Sequence, residues 1–418
     1  MNGPNPSVNG APPAPAGDTH PLRWRILTLL AIAELLAMST WFAASAIGPQ
    51  LGIRWNLSAS EIGWLTAVVQ LGFVLGTAVA AVLNLADVVP SRVLFAVSAF
   101  IAAGANAALL WTTSYPQALA SRLATGFALA GVYPPAMKMI STWFRARRGL
   151  AIGSIVGALT VGNAAPFLVR SIPGAGETQV VVATTIAALV AGIIVALLYH
   201  DGPYLFPARP FSWGLVGAVF AERRWRLATA GYLGHMFELY SARTWVPVFV
   251  AASLVAAGVP PGPHRESTAG FVGFLAIAIG GIGCVWGGLV ADRRGREWLV
   301  NVSLAASGAC AILIGFTFGR SLALLVPVAL AWGFFVIADS AQFSALVTEA
   351  VPPHAVGTAL TIQTSLGFLL TMVSIQLVPP VAHAIGWRWA FVMLAAGPVF
   401  GIAAINKLVR VTRQTAAR

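Results

Sequence analysis

The sequence predicts an all-α membrane protein of twelve transmembrane helices, arranged as two pseudo-symmetric six-helix bundles. Composition is the first reason: 58% of residues are hydrophobic, 9% are charged and the mean hydropathy is +0.81, whereas a soluble domain carries about 25% charged residues. Apolar stretches long enough to cross a bilayer as a helix then recur, six before and six after a break rich in Pro and Arg from His200 to Arg226. Finally, the chain repeats itself, because Glu34-Leu35-x4-Thr40-Trp41 returns 204 residues later as Glu238-Leu239-x4-Thr244-Trp245. Self-similarity at a long period marks a duplicated architecture.

Taken in order, residues 1–20 are Pro, Gly, Asn and Ala with almost no charge and read as a disordered cytoplasmic tail. They lack the basic start and short apolar core of a signal peptide. The N-terminal bundle, 21–200, holds spans near 25–48, 61–85, 91–112, 116–141, 149–171 and 178–199. Pro203, Pro207 and Pro210 stop the sixth span from continuing. Residues 201–226 form a cytoplasmic linker, in which Phe211 to Arg226 reads either as an amphipathic interfacial helix or as a disordered loop. The C-terminal bundle, 227–410, holds spans near 227–256, 268–291, 298–317, 321–347, 355–380 and 387–408, followed by a cytoplasmic tail, 411–418.

Loop charge orients the chain. With the N-terminus inside, seventeen Lys and Arg fall on cytoplasmic segments and five on the other side, leaving Arg122, Lys138 and Arg243 within spans. Both termini are therefore expected in the cytoplasm, in a multi-pass protein of the inner or plasma membrane. The net charge of +12 follows from these scattered loop groups; it forms no basic patch with interleaved aromatics, so a lipid bilayer and not nucleic acid is the expected partner. Cys284 and Cys310 both lie in apolar runs and read as buried, inert thiols.

Two further anchors support the duplication. Asp87 and Asp292 are offset by 205, and Arg148-Gly149 and Val356-Gly357, which open spans five and eleven, by 208. After span eight stands Gly288-Leu-Val-Ala-Asp292-Arg293-Arg294-Gly295-Arg296, while the first-half copy keeps Asp87 and a late Arg92. The second copy resembles the Gly-x-x-x-Asp-Arg-x-Gly-Arg signature of the major facilitator superfamily, and the resemblance runs from residue 21 to 410. It implies a transporter fold whose two halves rock about a central site. It also implies a cytoplasmic gating motif of Gly288, Asp292, Arg293, Gly295 and Arg296, with Asp87 as counterpart. Arg122-Leu-Ala-Thr-Gly126 is similar to the family's Arg-x-x-x-Gly motif, where the arginine faces the cavity. Within the superfamily the chain is similar to the nitrate/nitrite porter and cyanate permease branches, through Glu-Leu-x4-Thr-Trp, the span-five glycines and Gly234-His235-Met236-Phe237-Glu238-Leu239-Tyr240. Nitrate porters carry arginines in spans two and eight; this chain has Gln70 and Asn84 in span two and no charged residue in span eight before Asp292. That difference points to another anion. Gly157-Ala158 stands where drug exporters tend to have Gly-Pro, which favours uptake.

The substrate and proton candidates are the polar groups at membrane depth: Glu34, Trp41, Arg122, His235, Glu238, Arg243 and Trp245. A carboxylate at mid-bilayer costs roughly 2.5–3.5 kcal/mol on insertion scales, so such residues are usually functional. Residues seven apart return to within about 20° on a helix, which puts Glu34 with Trp41, and Glu238 with Trp245, on common faces. His235 precedes Glu238 by three and shares its face, suggesting a proton-binding pair. Arg243 replaces the Ser39 of the first copy. Counting about 1.5 Å per residue, Arg122, Glu238 and Arg243 fall in the outer half of the membrane and Glu34 just inside the midplane. Structural salt bridges from Glu34 or Glu238 to Arg122 and Arg243 are the competing reading. Asp339 and Glu349 are expected in a cytoplasmic loop network, with Lys138 snorkelling to the same interface.

No His-x3-His, cysteine pair or glycine-rich phosphate loop is present, so an enzyme is not expected. The expected function is proton-coupled uptake of a small organic or inorganic anion by a monomer, with the proton gradient in place of any cofactor. The alternative is proton-driven efflux of drugs or other amphipathic compounds.

Overall fold

The computed structural model describes residues 20–144, 147–204 and 212–416, and all regular structure in them is helical. The first half of the chain contains α1 (Arg23–Met38), α2 (Ala43–Ala46), α3 (Gly48–Trp55), α4 (Ala59–Val82), α5 (Leu85–Val88), α6 (Ser91–Ala107), α7 (Tyr115–Leu129), α8 (Tyr133–Ser141), α9 (Arg148–Arg170) and α10 (Glu177–Leu198). The second half contains α11 (Trp213–Ala221), α12 (Arg223–Ala256), α13 (Pro263–Arg294), α14 (Arg296–Leu313), α15 (Leu322–Ala338), α16 (Ser340–Ala350), α17 (Val356–Ile385) and α18 (Ala396–Ala416).

Among the described residues, ten helical stretches are long and apolar enough to cross a membrane. The expected spans 25–48 and 116–141 are instead interrupted. After α1 the Ser39 and Thr40 hydroxyls bond back to the Leu36 and Ala37 carbonyls at 2.7 and 3.0 Å, offering the backbone an alternative to the next helical turn. Between α7 and α8 the cause is Pro134-Pro135, whose missing N–H groups and rings prevent continuation.

Caps explain where other helices start. Ser58 and Glu61 form a reciprocal capping box, worth about 1 kcal/mol, which begins α4 two residues before the expected 61. The Glu222 carboxylate accepts from the Arg224 N–H at 3.1 Å, so α12 starts at Arg223 and not at 227. The interfacial helix expected to reach Arg226 is correspondingly confined to α11, and Phe211 lies outside the described residues.

The two halves of the chain meet along two antiparallel helix pairs, α9 with α13 and α4 with α17. The first pair runs close because both backbones carry glycine: a Cβ on Gly157 would stand 3.0 Å from the Gly281 carbonyl oxygen. At one end of this pair Gly149 lies beside the Asp292 carboxylate. At the other, Arg170 forms an ion pair with Glu266, and the Ser267 hydroxyl donates to the Ser171 carbonyl. In the second pair, Ser60 Oγ donates to Gln376 Oε1 at 2.5 Å, and the rings of Phe73 and Phe368 lie 4.7 Å apart further along.

Candidate functional site

The interruption after α1 builds the first-half side of the site. Where the chain leaves the helical path at Ser39, the Thr40 carbonyl keeps only a long turn bond from the Ala43 N–H at 3.4 Å, and Arg122 Nη2 donates to the Thr40 and Trp41 carbonyls at 2.7 and 2.8 Å. Its Nη1 donates to Asn106 Oδ1 at 3.1 Å, and Asn106 in turn donates to Thr184 and Thr185 on α10, both at 3.0 Å. Arg122 is fully buried and clamps α1, α6 and α10 together. This arginine holds backbone.

Glu34 lies one turn before the interruption, also fully buried, and neither carboxylate oxygen has a hydrogen-bond partner in the protein. Trp41 enters an aromatic cluster between the halves. Its ring centroid is 5.3 Å from Phe73, 5.8 Å from Tyr240 and 5.7 Å from Phe368, while Phe42 stacks on Tyr240 at 6.2 Å.

On the second-half side α12 runs without interruption through the repeated motif. Glu238 accepts from Trp332 Nε1 on α15 at 2.6 Å and from Ser307 Oγ on α14 at 2.8 Å. Both oxygens are therefore occupied by donors, an arrangement that holds a carboxylate in place. His235 turns elsewhere. Its Nδ1 stands 2.9 Å from Asp339 Oδ1, with both side chains 1% exposed. The expected His235–Glu238 pair is thus replaced by two separate contacts, since each side chain meets a different neighbouring helix. Asp339, expected in the loop network, lies buried between α15 and α16, whereas exposed Glu349 forms an ion pair with Arg296.

Arg243 reaches from α12 into the first half, where Nη2 donates to Thr160 Oγ1 on α9 at 3.3 Å. Its guanidinium carbon lies 5.7 Å from the Tyr240 ring centroid. Nη1 has no partner in the protein, although the side chain is 96% buried. Arg243 lines a cavity of about 20 Å3 with Ala242, Ala276, Trp332 and Gly333, room for at least one water by the usual minimum of about 10–15 Å3. No ion pair joins Glu34 or Glu238 to Arg122 or Arg243 among the described residues. Trp245 is buried too; its Nε1 donates to the Ile375 carbonyl at 3.0 Å, and its ring meets Gly63 of the first half.

In the loop after α13, Gly295 turns the chain at φ +90°, a conformation glycine adopts without strain. Asp292 faces the beginning of α9, where a carboxylate suits the positive end of the helix dipole. Arg294 lies over Trp298 at 5.0 Å. Gly288 sits against Gly149 of α9. Arg293 is exposed. The backbone of Asp87 lies in α5; its side chain is outside the described residues.

Sequence reasoning put Asp339 in the loop network and not at the site, and it passed over the ring cluster of Phe42, Phe73, Tyr240 and Phe368 and the Trp332 and Ser307 donors. Asp339 did leave a signal, as the lone charged residue between Arg320 and Glu349. The aromatic rings left none, because periodicity does not say which apolar faces of separate helices converge.

Comparison with known proteins supports this architecture. Residues 30–375 match the Major Facilitator Superfamily. The chain is 24% identical over 340 residues to the MFS transporter asaE of Aspergillus flavus, covering 79% of this chain and 72% of that one. It is 27% identical over 170 residues to the probable nitrate/nitrite antiporter NarK1 of Thermus thermophilus, covering 39% of this chain and 38% of that one. For three of the curated relatives that it matches, the chain spans 42%, 38% and 43% of their length. In fold it is similar to the crystal structure of the nucleoside transporter NupG, with a TM-score of 0.70 over 92% of this chain and 99% of that one at 16% identity.

Proposed function

The chain belongs to the Major Facilitator Superfamily, and we propose that it is a secondary transporter that takes up a small organic or inorganic anion by alternating access, coupled to protons. In this reading twelve spans cross the membrane. The interrupted stretches α1–α3 and α7–α8 supply the first and fourth, residues 21–200 and 227–410 form the two bundles, both termini lie in the cytoplasm and the protein works as a monomer. The loop from Gly288 to Arg296, with Asp87, gates the cytoplasmic end.

Arg243 is the observation that carries the anion. A guanidinium that is almost wholly buried and open at Nη1 reaches one hydroxyl of the first half, Thr160, and lies on the wall of a small cavity lined by α12, α13 and α15. A buried cation is stabilised by an anion with good hydrogen-bond geometry, and arginine's planar fork suits carboxylates and inorganic oxyanions. The rings of Trp41 and Tyr240 close the space between the halves beside it. Trp245 supports α12 against α17. Because Arg122 is occupied by backbone carbonyls, the substrate anion falls to Arg243 alone.

The test is transport into proteoliposomes of the purified chain, with nitrate as inorganic probe and gluconate as organic probe. Wild type should accumulate at least one of them when a pH gradient, acid outside, is imposed. Arg243→Gln should cut that rate by about tenfold or more. Movement of cationic dyes with neither anion transported, or unchanged uptake by Arg243→Gln, would overturn the reading in favour of efflux of amphipathic compounds.

A further inference from the structure

We propose that His235 and Asp339 together form the proton site of this transporter, holding one proton between them at the interruption between α15 and α16. The proposal rests on the proton-coupled reading above and gives Asp339 a role there.

Burial sets this pair apart. Arg54–Glu177, Arg170–Glu266 and Arg296–Glu349 each have a partner more than half exposed, whereas His235 and Asp339 are both 1% exposed at a separation of 2.9 Å. Neither His235 Nε2 nor either Asp339 carboxylate oxygen has a hydrogen-bond partner in the protein, so the polar contact of the pair is the close approach of Nδ1 to Oδ1. A proton can therefore be gained or lost at the pair without breaking a second interaction.

The surroundings make that proton consequential. On α12 the Tyr232 ring lies 6.2 Å from His235, and Glu238, one turn further, is occupied by Trp332 and Ser307. From α16 the apolar Phe343 ring comes within 5.2 Å, while Glu349 at the far end of that helix is taken by Arg296. α13 contributes the Cys284 thiol, which donates to the Ile337 carbonyl at 3.8 Å. The neighbouring faces of α17 and α18 meet this part of α12 through Gly367, Gly397 and Gly401. None of these groups brings a cation to the pair.

With one proton the pair is neutral overall, as imidazolium with carboxylate or as imidazole with carboxylic acid. Without it a lone carboxylate is left in apolar packing, a state relieved when water reaches it. Opening is built into the position. Asp339 is where the helix is interrupted, and the α13 backbone presses on the break so closely that a Cβ on Gly287 would overlap the Ala338 carbonyl. α13 is also the helix that lies along α9 of the other half. Loss of the proton to water at one face therefore favours a rearranged α13–α9 contact, and protonation from the other face restores the closed one.

Two measurements on the full chain test this. In proteoliposomes, Asp339→Asn and His235→Gln should lose about tenfold or more of the accumulation of nitrate or gluconate driven by a pH gradient. Exchange of the same probe at equal pH should be far less affected, and Asp339→Glu should recover the pH-driven component. In infrared difference spectra of purified protein between acid and alkaline pH, a carboxyl band of wild type should vanish in Asp339→Asn and shift in His235→Gln. An Asp339→Asn protein that accumulates probe with the wild-type pH profile, loses exchange and accumulation equally, or keeps the infrared band would overturn the assignment. If wild type moves neither probe, the transport reading falls, while the infrared spectra still decide whether the pair holds the proton.

Discussion

Glu34 and Glu238 occupy the same place in a repeated motif, and the molecule treats them oppositely. Around Glu34 the helix stops four residues later, the carboxylate has no partner, and the carbonyls of Thr40 and Trp41 accept from Arg122 on another helix. Around Glu238 the helix continues, the carboxylate holds two donors, and the local arginine, Arg243, extends across the interface between the halves with one nitrogen open. One copy spends its cation on backbone; the other keeps it available. Equivalent positions of a repeated motif thus meet different partners, backbone in one case and an open cation in the other.

The largest expected contrast lies between the two arginines. Arg122→Leu removes the charged donor shared by the Thr40 and Trp41 carbonyls and Asn106 Oδ1 and should lower stability by on the order of 3–5 kcal/mol. Arg243→Leu gives up one long bond to Thr160 and the approach to the Tyr240 ring and should cost less than Arg122→Leu, about 1.5–3 kcal/mol at most, while abolishing anion uptake. Thermal unfolding in detergent reads both, and equal destabilisation would end the distinction.

Next come the glutamates. Glu238→Gln turns an amide toward a donor that now has an acceptor, a loss of about 1–3 kcal/mol. Glu34→Gln breaks no hydrogen bond and should lose less stability than Glu238→Gln. A larger loss at Glu34 than at Glu238 would show that the closed structure hides a partner for the first acid. The smallest effect concerns the tryptophans. Trp245→Phe loses a hydrogen bond to Ile375 and should be about 1 kcal/mol less stable than Trp41→Phe, because Trp41 Nε1 has no partner. Both changes keep most of the ring contact area, so unfolding midpoints compare them directly.

The legible part of the site was the list of polar residues at membrane depth. Glu34, His235, Glu238, Arg122 and Arg243 each stand out because an ionisable group in an apolar run is costly and conspicuous. Their pairing was not legible. Helical spacing put His235 beside Glu238, yet their partners came from α14, α15 and the break at Asp339, whose distance along the chain carries no periodic signal. Likewise the Arg-x-x-x-Gly resemblance put Arg122 at a cavity, and an interruption elsewhere in the chain supplied the carbonyls that took it up.

By itself, then, the sequence determined the class of molecule, the approximate place of its apolar stretches and the acids and bases that stand in them. Those properties are local or periodic, and they follow from transfer energies and chain spacing. Only the tertiary structure decided which helices are interrupted, which arginine is bound to backbone and which is left open, and that the buried histidine meets Asp339. These outcomes depend on hydrogen-bond partners brought together from distant parts of the chain, and a buried polar group takes whichever donor or acceptor the packing presents.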